Sequence, residues 1–272
     1  MSDISMKKKV LFVTNSRSEM TTVLSMLSHA VTSEVIDPYL MVGGTHFSEK
    51  YGMTVDFIKG KGYEPDFEAK YYTNDEDLPY CLGNAIPIFC DGIKQLNPDL
   101  VVVTGDRLEC LPLITACMLS NILLAHVSGG DTTLGAIDNQ IRDMLTKASH
   151  VHFVAMEQHK CKLVKMGEHP KSIFVTGDPA IDEISKISVA DIDKTLSSFG
   201  LEFDGDYALC TFHPQTVNPH QNKTLLKNML AALKKRTEFK IFTFPNGDLG
   251  SDEVINSLHE FVSGDARSAI IK

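Results

Sequence analysis

The sequence predicts an α/β protein: a parallel, doubly wound sheet followed by a second, smaller α/β unit. Short runs rich in Val, Ile, Leu and Phe alternate with longer segments of helical period along most of the chain. Those runs are unbroken rather than alternating, as expected of strands covered by helices on both faces. Several of them empty abruptly into polar, glycine-containing turns, which is where such sheets place their ligands. Alternation of this kind argues parallel strands joined by right-handed crossovers.

Taken in order, Val10–Thr14 reads as the first strand and Glu19–Ala30 as its helix. Glu34–Val42 is a second strand, and Glu49–Lys61 and Leu78–Leu96 have helical patterns. Between them, Asp56–Asp77 contains the least regular stretch and reads as a mobile excursion over the site. Leu100–Thr104, Ile122–Val127, Val151–Ala155 and Ser172–Thr176 are further strands. The helices Cys110–Leu119, Ala136–Ala148 and Glu157–Met166 separate them. The rhythm breaks near Ile187–Asp204, which contains a short helix, Asp191–Phe199. The expected domains are therefore residues 1–188 and 189–272. The second alternates strand Tyr207–Phe212, helix Lys223–Lys235, strand Phe239–Phe244, helix Asp252–Val262 and strand Ser268–Ile271. That is a half-finished α/β unit, so the second domain reads as truncated or unusually small.

Composition narrows the function. At 43% hydrophobic and 22% charged residues, the 272-residue chain has the make-up of a globular protein. A net charge of −9 leaves no basic field for general nucleic-acid binding. No apolar run reaches the roughly 20 residues of a membrane span, and Val10–Val13 is too short for the core of a signal peptide. A cytoplasmic protein is expected. The six cysteines show no metal-binding spacing and sit mostly among apolar neighbours, so no metal site is expected.

The chemistry is expected at the strand ends. The first strand ends in TNSRSEM, where Ser16 or Ser18 can cap the next helix and Glu19 suits its dipole. Arg17 beside a helix N-terminus makes a clamp for a phosphate, although the loop lacks the GxGxxG dinucleotide pattern. In TGDRLEC, Asp106 is a candidate for catalysis and equally for an N-cap, with Arg107 beside it. The run HVSGGDTTLGAIDNQIR follows. Its His126, Ser128 and Asp131 share one strand end, and Gly129 and Gly130 would let backbone approach a ligand. Asp138 and Arg142, spaced i,i+4, could simply pair on the helix surface. Asp178–Pro179 reads as an ordinary turn. In TFHPQT, His213 lies beyond a strand of the second domain, where it would face the first domain's carboxylates and suit acid–base work. Together these residues suggest an enzyme acting on a polar, anionic substrate.

The segments TGDRLEC, HVSGGDTTLGAIDNQIRDMLTKASHVHF, VTGDPAIDEI and TFHPQT resemble the UDP-N-acetylglucosamine 2-epimerase family, nearest to its hydrolysing branch in sialic-acid-type sugar biosynthesis. The resemblance runs from Val10 to about Gly250, ending in PNGD at Pro245–Asp248. It implies two Rossmann-like, doubly wound domains in a GT-B-like arrangement, with a nucleotide-sugar substrate between them and no cofactor or metal. It also implies the chemistry: removal of the C2 proton, elimination of UDP to a glycal, then water addition releasing an N-acetylmannosamine-type sugar. By resemblance Asp106, Asp131, Asp138 and His213 fall on catalytic positions. Arg17, Glu19, Arg107, Ser128, Gly129, Gly130 and Arg142 fall on substrate-binding ones. Members of the family often form homodimers.

The chain departs from the family pattern in places. NSRSEM replaces a glycine–threonine–arginine start, Ser128 stands where relatives often carry glutamate or histidine, Asp131 where many carry glutamate, and Gln215 where glutamate is frequent. Members also run longer, and the remainder would hold the loop that grips the uridine and diphosphate. Two other readings stay open on sequence: a two-Rossmann-type glycosyltransferase, which would not exchange the C2 proton, and a non-catalytic nucleotide-sugar-binding relative.

Overall fold

A computed structural model describes residues 7–72, 77–245 and 250–271, apart from the side chains of residues 189–191 and 193. The PNGD tetrapeptide beyond Pro245 and residues 73–76 of the irregular stretch lie outside the described residues. The chain divides into two compact units. The first takes in the chain up to Thr133 and Asp138–Ser185, and the second Leu134–Ile137 and the chain from Lys186.

In the first unit, β1 (Lys8–Thr14), β2 (Ile36–Gly43), β3 (Phe67–Ala69), β4 (Leu100–Thr104), β5 (Leu123–Val127), β6 (Val151–Val154) and β7 (Ile173–Val175) form one sheet. Its strand order is β3-β2-β1-β4-β5-β6-β7 and all its pairs are parallel. The order reverses between β1 and β4, so the switch point lies at their carboxyl ends, where open α/β sheets bind ligands. The connecting helices are α1 (Arg17–Ala30), α2 (Thr54–Gly60), α3 (Leu78–Leu96), α4 (Cys110–Leu119), α5 (Asp138–Ala148), α6 (Glu157–Lys165) and α7 (Ala180–Ile184).

The unbroken apolar strands are buried as their composition demands: Val10, Leu11, Phe12 and Val13 are all within the core. Helix α1 turns Met20, Val23, Leu24, Leu27 and Ala30 inward at helical spacing, onto Val10, Phe12, Val42 and Val102. Each of the larger side chains contributes about 1.5–3 kcal/mol on burial.

Two local expectations fail for identifiable reasons. Glu49–Lys61 is not one helix: a 3-10 turn at Glu49–Tyr51 ends at left-handed Gly52, and α2 starts only at Thr54. The stretch expected to be irregular contains β3, which extends the sheet through Met41↔Phe67 and Gly43↔Ala69. Tyr71, just beyond it, is buried against Phe89 with ring centroids 5.3 Å apart.

The second unit begins with α8 (Val189–Ser198) and continues through β8 (Tyr207–Cys210), α9 (Asn222–Leu233), β9 (Phe239–Thr243), α10 (Ser251–Ser263) and β10 (Ser268–Ile271). Its described strands form a parallel sheet of order β10-β9-β8. Leu226, Phe242, Val254 and Leu258 form its core. Among the described residues, no helix is long and apolar enough to cross a membrane.

Candidate active site

The carboxyl end of β5 is built on a histidine. His126 is fully buried, with Nε2 2.8 Å from the Gly105 carbonyl at the end of β4 and Nδ1 3.2 Å from Thr146 Oγ1 on α5. A carbonyl only accepts, so Nε2 carries the proton and Nδ1 accepts from the threonine hydroxyl. Burial pushes the imidazole down to about 4 despite the carbonyl hydrogen bond. His126 is therefore a neutral brace between strands rather than an acid–base group.

The chain then turns sharply. Ser128 adopts φ 69°, a left-handed conformation that a non-glycine residue seldom holds unless its surroundings impose it, and its N–H donates to Phe153 O at 2.9 Å. Gly129 and Gly130 also serve the packing of this turn. A Cβ on Gly129 would lie 3.1 Å from His126 Nδ1, and one on Gly130 would lie 2.8 Å from both His159 O and Leu163 Cδ1. These glycines thus let the turn approach His126 and helix α6 closely.

Arg142 organises the rest. Its guanidinium donates to the Asp131 carbonyl (3.0 Å), Asn139 Oδ1 (3.1 Å) and Thr133 Oγ1 (3.0 Å), and pairs with Asp106 Oδ2. A surface pairing was expected; instead Arg142 is only 4% exposed, facing the sheet. Asp106 is thereby joined to the loop carrying Asp131. Nor does Asp106 cap α4, whose N-cap position is Glu109. The Asp131 carbonyl is held a second time by Lys162 Nζ at 3.0 Å. Its carboxylate is exposed, accepts from Thr132 N at 2.6 Å and has His159 Nε2 at 3.9 Å. Asp138 opens α5, where a carboxylate favours the helix dipole.

At the end of β1, Ser16 occupies the N-cap of α1 but its hydroxyl meets Ser18 Oγ at 2.8 Å and does not cap, correcting the sequence reading. Glu19 instead reaches back beyond the N-cap to accept the Asn15 N–H at 2.7 Å. Glu19 is buried. Gly44, at φ 56°, lets β2 pass close by: a Cβ there would stand 2.4 Å from Asn15 O. Buried His46 bridges Thr14 Oγ1 (2.9 Å) and Thr54 Oγ1 (2.6 Å), and burial takes it to about 4. Arg17 is half-buried at the start of α1, with its guanidinium lowered from its ordinary value by desolvation. Arg107 lies beside Glu109, with Nε 3.5 Å from Oε2.

The first unit thus gathers Asp106, Arg107, Ser128, Asp131 and Arg142 on the ends of β4 and β5, and Arg17 at the end of β1. Sequence reasoning missed Tyr71, His159 and Lys162, each of which reaches its place only through tertiary packing, and it noted Glu109 after β4 without giving it a role. In the second unit His213 is exposed beyond β8. Its turn is held by Asn222 on α9, which accepts from Gln215 N at 2.8 Å and donates to Gln215 O at 3.0 Å. Asp178, as expected, forms a turn, accepting from Ala180 N at 3.0 Å. Among the described residues, no group of three His, Cys, Asp or Glu side chains could hold a metal ion.

Comparison with known proteins places this arrangement. The family model described as UDP-N-acetylglucosamine 2-epimerase matches residues 29–271. A UDP-N-acetylglucosamine 2-epimerase of Neisseria meningitidis is 28% identical over 94% of this chain and 67% of its own length. The GDP/UDP-N,N'-diacetylbacillosamine 2-epimerase (hydrolyzing) of Campylobacter jejuni is 31% identical over 89% of this chain and 64% of its own. The chain therefore spans about two thirds of the length of these curated relatives. The crystal structure of the Neisseria meningitidis enzyme bound to UDP-GlcNAc shares the fold, with TM-score 0.80 at 19% identity over 97% of this chain and 72% of that one. The chain belongs to the UDP-N-acetylglucosamine 2-epimerase family.

Proposed function

We propose that this chain serves the hydrolysing 2-epimerisation of UDP-N-acetylglucosamine or a related nucleotide-linked 2-acetamido sugar, giving the free N-acetylmannosamine-type sugar and the nucleotide diphosphate. The observation that carries the reading is the Arg142 clamp, which gathers Asp106 and the Asp131 loop on neighbouring strand ends. Family membership supplies the substrate class. Asp131 is assigned as the base that removes the C2 proton, because its carboxylate is exposed while that of Asp106 is committed to Arg142. Elimination then breaks the C1–O bond and places negative charge on the departing diphosphate. Arg17 and Arg107 are the cations assigned to that charge. Water adds to the resulting glycal, and His213 is assigned to the second proton transfer. Ser128 and Asp138 complete the residues assigned in the first unit, and a homodimer remains part of the proposal.

Incubation with UDP-N-acetylglucosamine in D₂O, followed by proton NMR, tests the reading. Released UDP together with N-acetylmannosamine deuterated at C2 is expected, and D131N should lose at least a hundredfold in rate. Sugar transfer without C2 exchange would replace the epimerase reading with a glycosyltransferase. Absence of both turnover and binding would overturn catalysis by this chain.

A further inference from the structure

A second pair of acidic side chains lies beneath the strand ends, buried and outside the chemistry assigned above. Glu19 on α1 is 3% exposed and Glu109 at the start of α4 is 2% exposed. Glu19 Oε2 accepts from Asn15 N at 2.7 Å, and its Oε1 is 3.4 Å from Cys110 Sγ. Glu109 Oε2 is fully buried without a hydrogen bond, its ion-pair partner Arg107 Nε being 3.5 Å away. The other titratable groups facing the pair, among the described residues, are Cys110, Tyr71 and Tyr72; Tyr71 donates to Asn15 Oδ1 at 3.0 Å.

Charge counting on this cluster is informative. Two ionised carboxylates so deeply buried, with Arg107 as the cation acting on both, would leave excess negative charge in a low-dielectric setting. Like charges that share a buried site do not both ionise readily. We propose that Glu19 and Glu109 are positioning residues, with Glu19 kept in its neutral acid form by burial beside Glu109, fixing Asn15 and Arg107 while keeping the floor of the β1 and β4 strand ends compatible with an anionic ligand. Burial, reinforced by the Glu109 charge, raises Glu19 to about 8, against the pull of the Asn15 N–H, Arg107 and Cys110. As pH rises through that range Glu19 loses its proton, and the added charge opposes a diphosphate bound above it. Binding of the diphosphate conversely draws a proton in, because linkage is reciprocal.

The ligand-binding half of this inference rests on the nucleotide-sugar reading, so the experiment separates the two. UDP binding is followed by titration calorimetry at pH 7.5 and 8.5, in buffers of different ionisation enthalpy. At pH 8.5 wild type should take up roughly half a proton or more, and its affinity should fall about threefold between the two pH values. E19Q, which keeps an acceptor for Asn15 N–H, should take up none of that proton and lose the pH dependence. Equal proton uptake in wild type and E19Q would overturn the proposal. Failure of wild type to bind UDP at either pH would instead count against the nucleotide-sugar reading. In that event urea unfolding without ligand decides the pair: wild type should lose stability from pH 7 to 8.5 while E19Q stays level and E109Q, which leaves Glu19 buried, declines less than wild type; parallel curves for wild type and E19Q would overturn it.

Discussion

Arg142 of α5 and Asp106 at the end of β4 form an ion pair that crosses from helix to strand, with the arginine 4% and the aspartate side chain 23% exposed. Two candidate catalytic strand ends thus share one buried cation, which also donates to the Asp131 carbonyl. Stability and geometry of the site are consequently coupled.

That coupling can be measured. R142M should lower the unfolding free energy by about 3 kcal/mol, because it strands a partly buried carboxylate and removes donors from Thr133 and Asp131. D106N should cost about 1 kcal/mol, since an amide oxygen still accepts. The double variant should cost no more than R142M alone in urea titrations. Strict additivity would show that the pair is not an energetic unit.

Glycines after β5 and β7 give a second contrast. Gly130 and Gly177 have nearly the same backbone, φ 83° and 81°, but a Cβ on Gly130 would meet His159 O and Leu163, whereas one on Gly177 meets nothing within 4 Å. G177A should therefore cost only the left-handed backbone penalty of about 1 kcal/mol. G130A should cost about 3 kcal/mol, the same penalty plus steric displacement of α6. Thermal unfolding of the two variants provides the comparison.

Acid should act through the buried histidines. His126 and His46 are held near 4 in the fold, against about 6.5 when unfolded. The unfolded chain binds protons first, so the stability these neutral imidazoles contribute is complete above pH 6.5 and is lost as pH falls towards 4. Glu19 acts in the opposite sense: raised to about 8, it contributes fully below its unfolded value and loses that contribution as pH rises through 8. The sum places maximum stability near pH 6.5. Urea midpoints from pH 4 to 9 should show that peak, and H46Q should flatten the acidic limb.

Much of the fold was legible because buried parallel strands announce themselves as unbroken Val, Ile, Leu and Phe runs, as in VLFVT and LVVVT. Strand β3 escaped because three residues, Phe-Glu-Ala, carry too little pattern to register, and only the edge of β2 makes them a strand. The strand-end carboxylates could likewise be named from sequence. Their partners could not, since an i,i+4 rule sees Asp138 beside Arg142 but not the rotation of α5 that turns the guanidinium towards Asp106. Burial of Glu19 and Glu109 is equally invisible locally: both sit in polar-looking motifs, and packing alone makes them interior.

The braces around His126 carry a consequence for motion. Gly105 N–H is bonded to Val127 O at 3.0 Å and Ser128 N–H to Phe153 O at 2.9 Å, while the Gly105 carbonyl is held by the imidazole. The turns that bear Asp106 and Asp131 therefore begin from amides locked into the sheet. In deuterated solvent, Gly105 and Ser128 should exchange on the timescale of the central strands rather than of surface loops. Any rearrangement needed to admit a sugar must accordingly begin further along each loop, leaving the strand ends as a fixed reference.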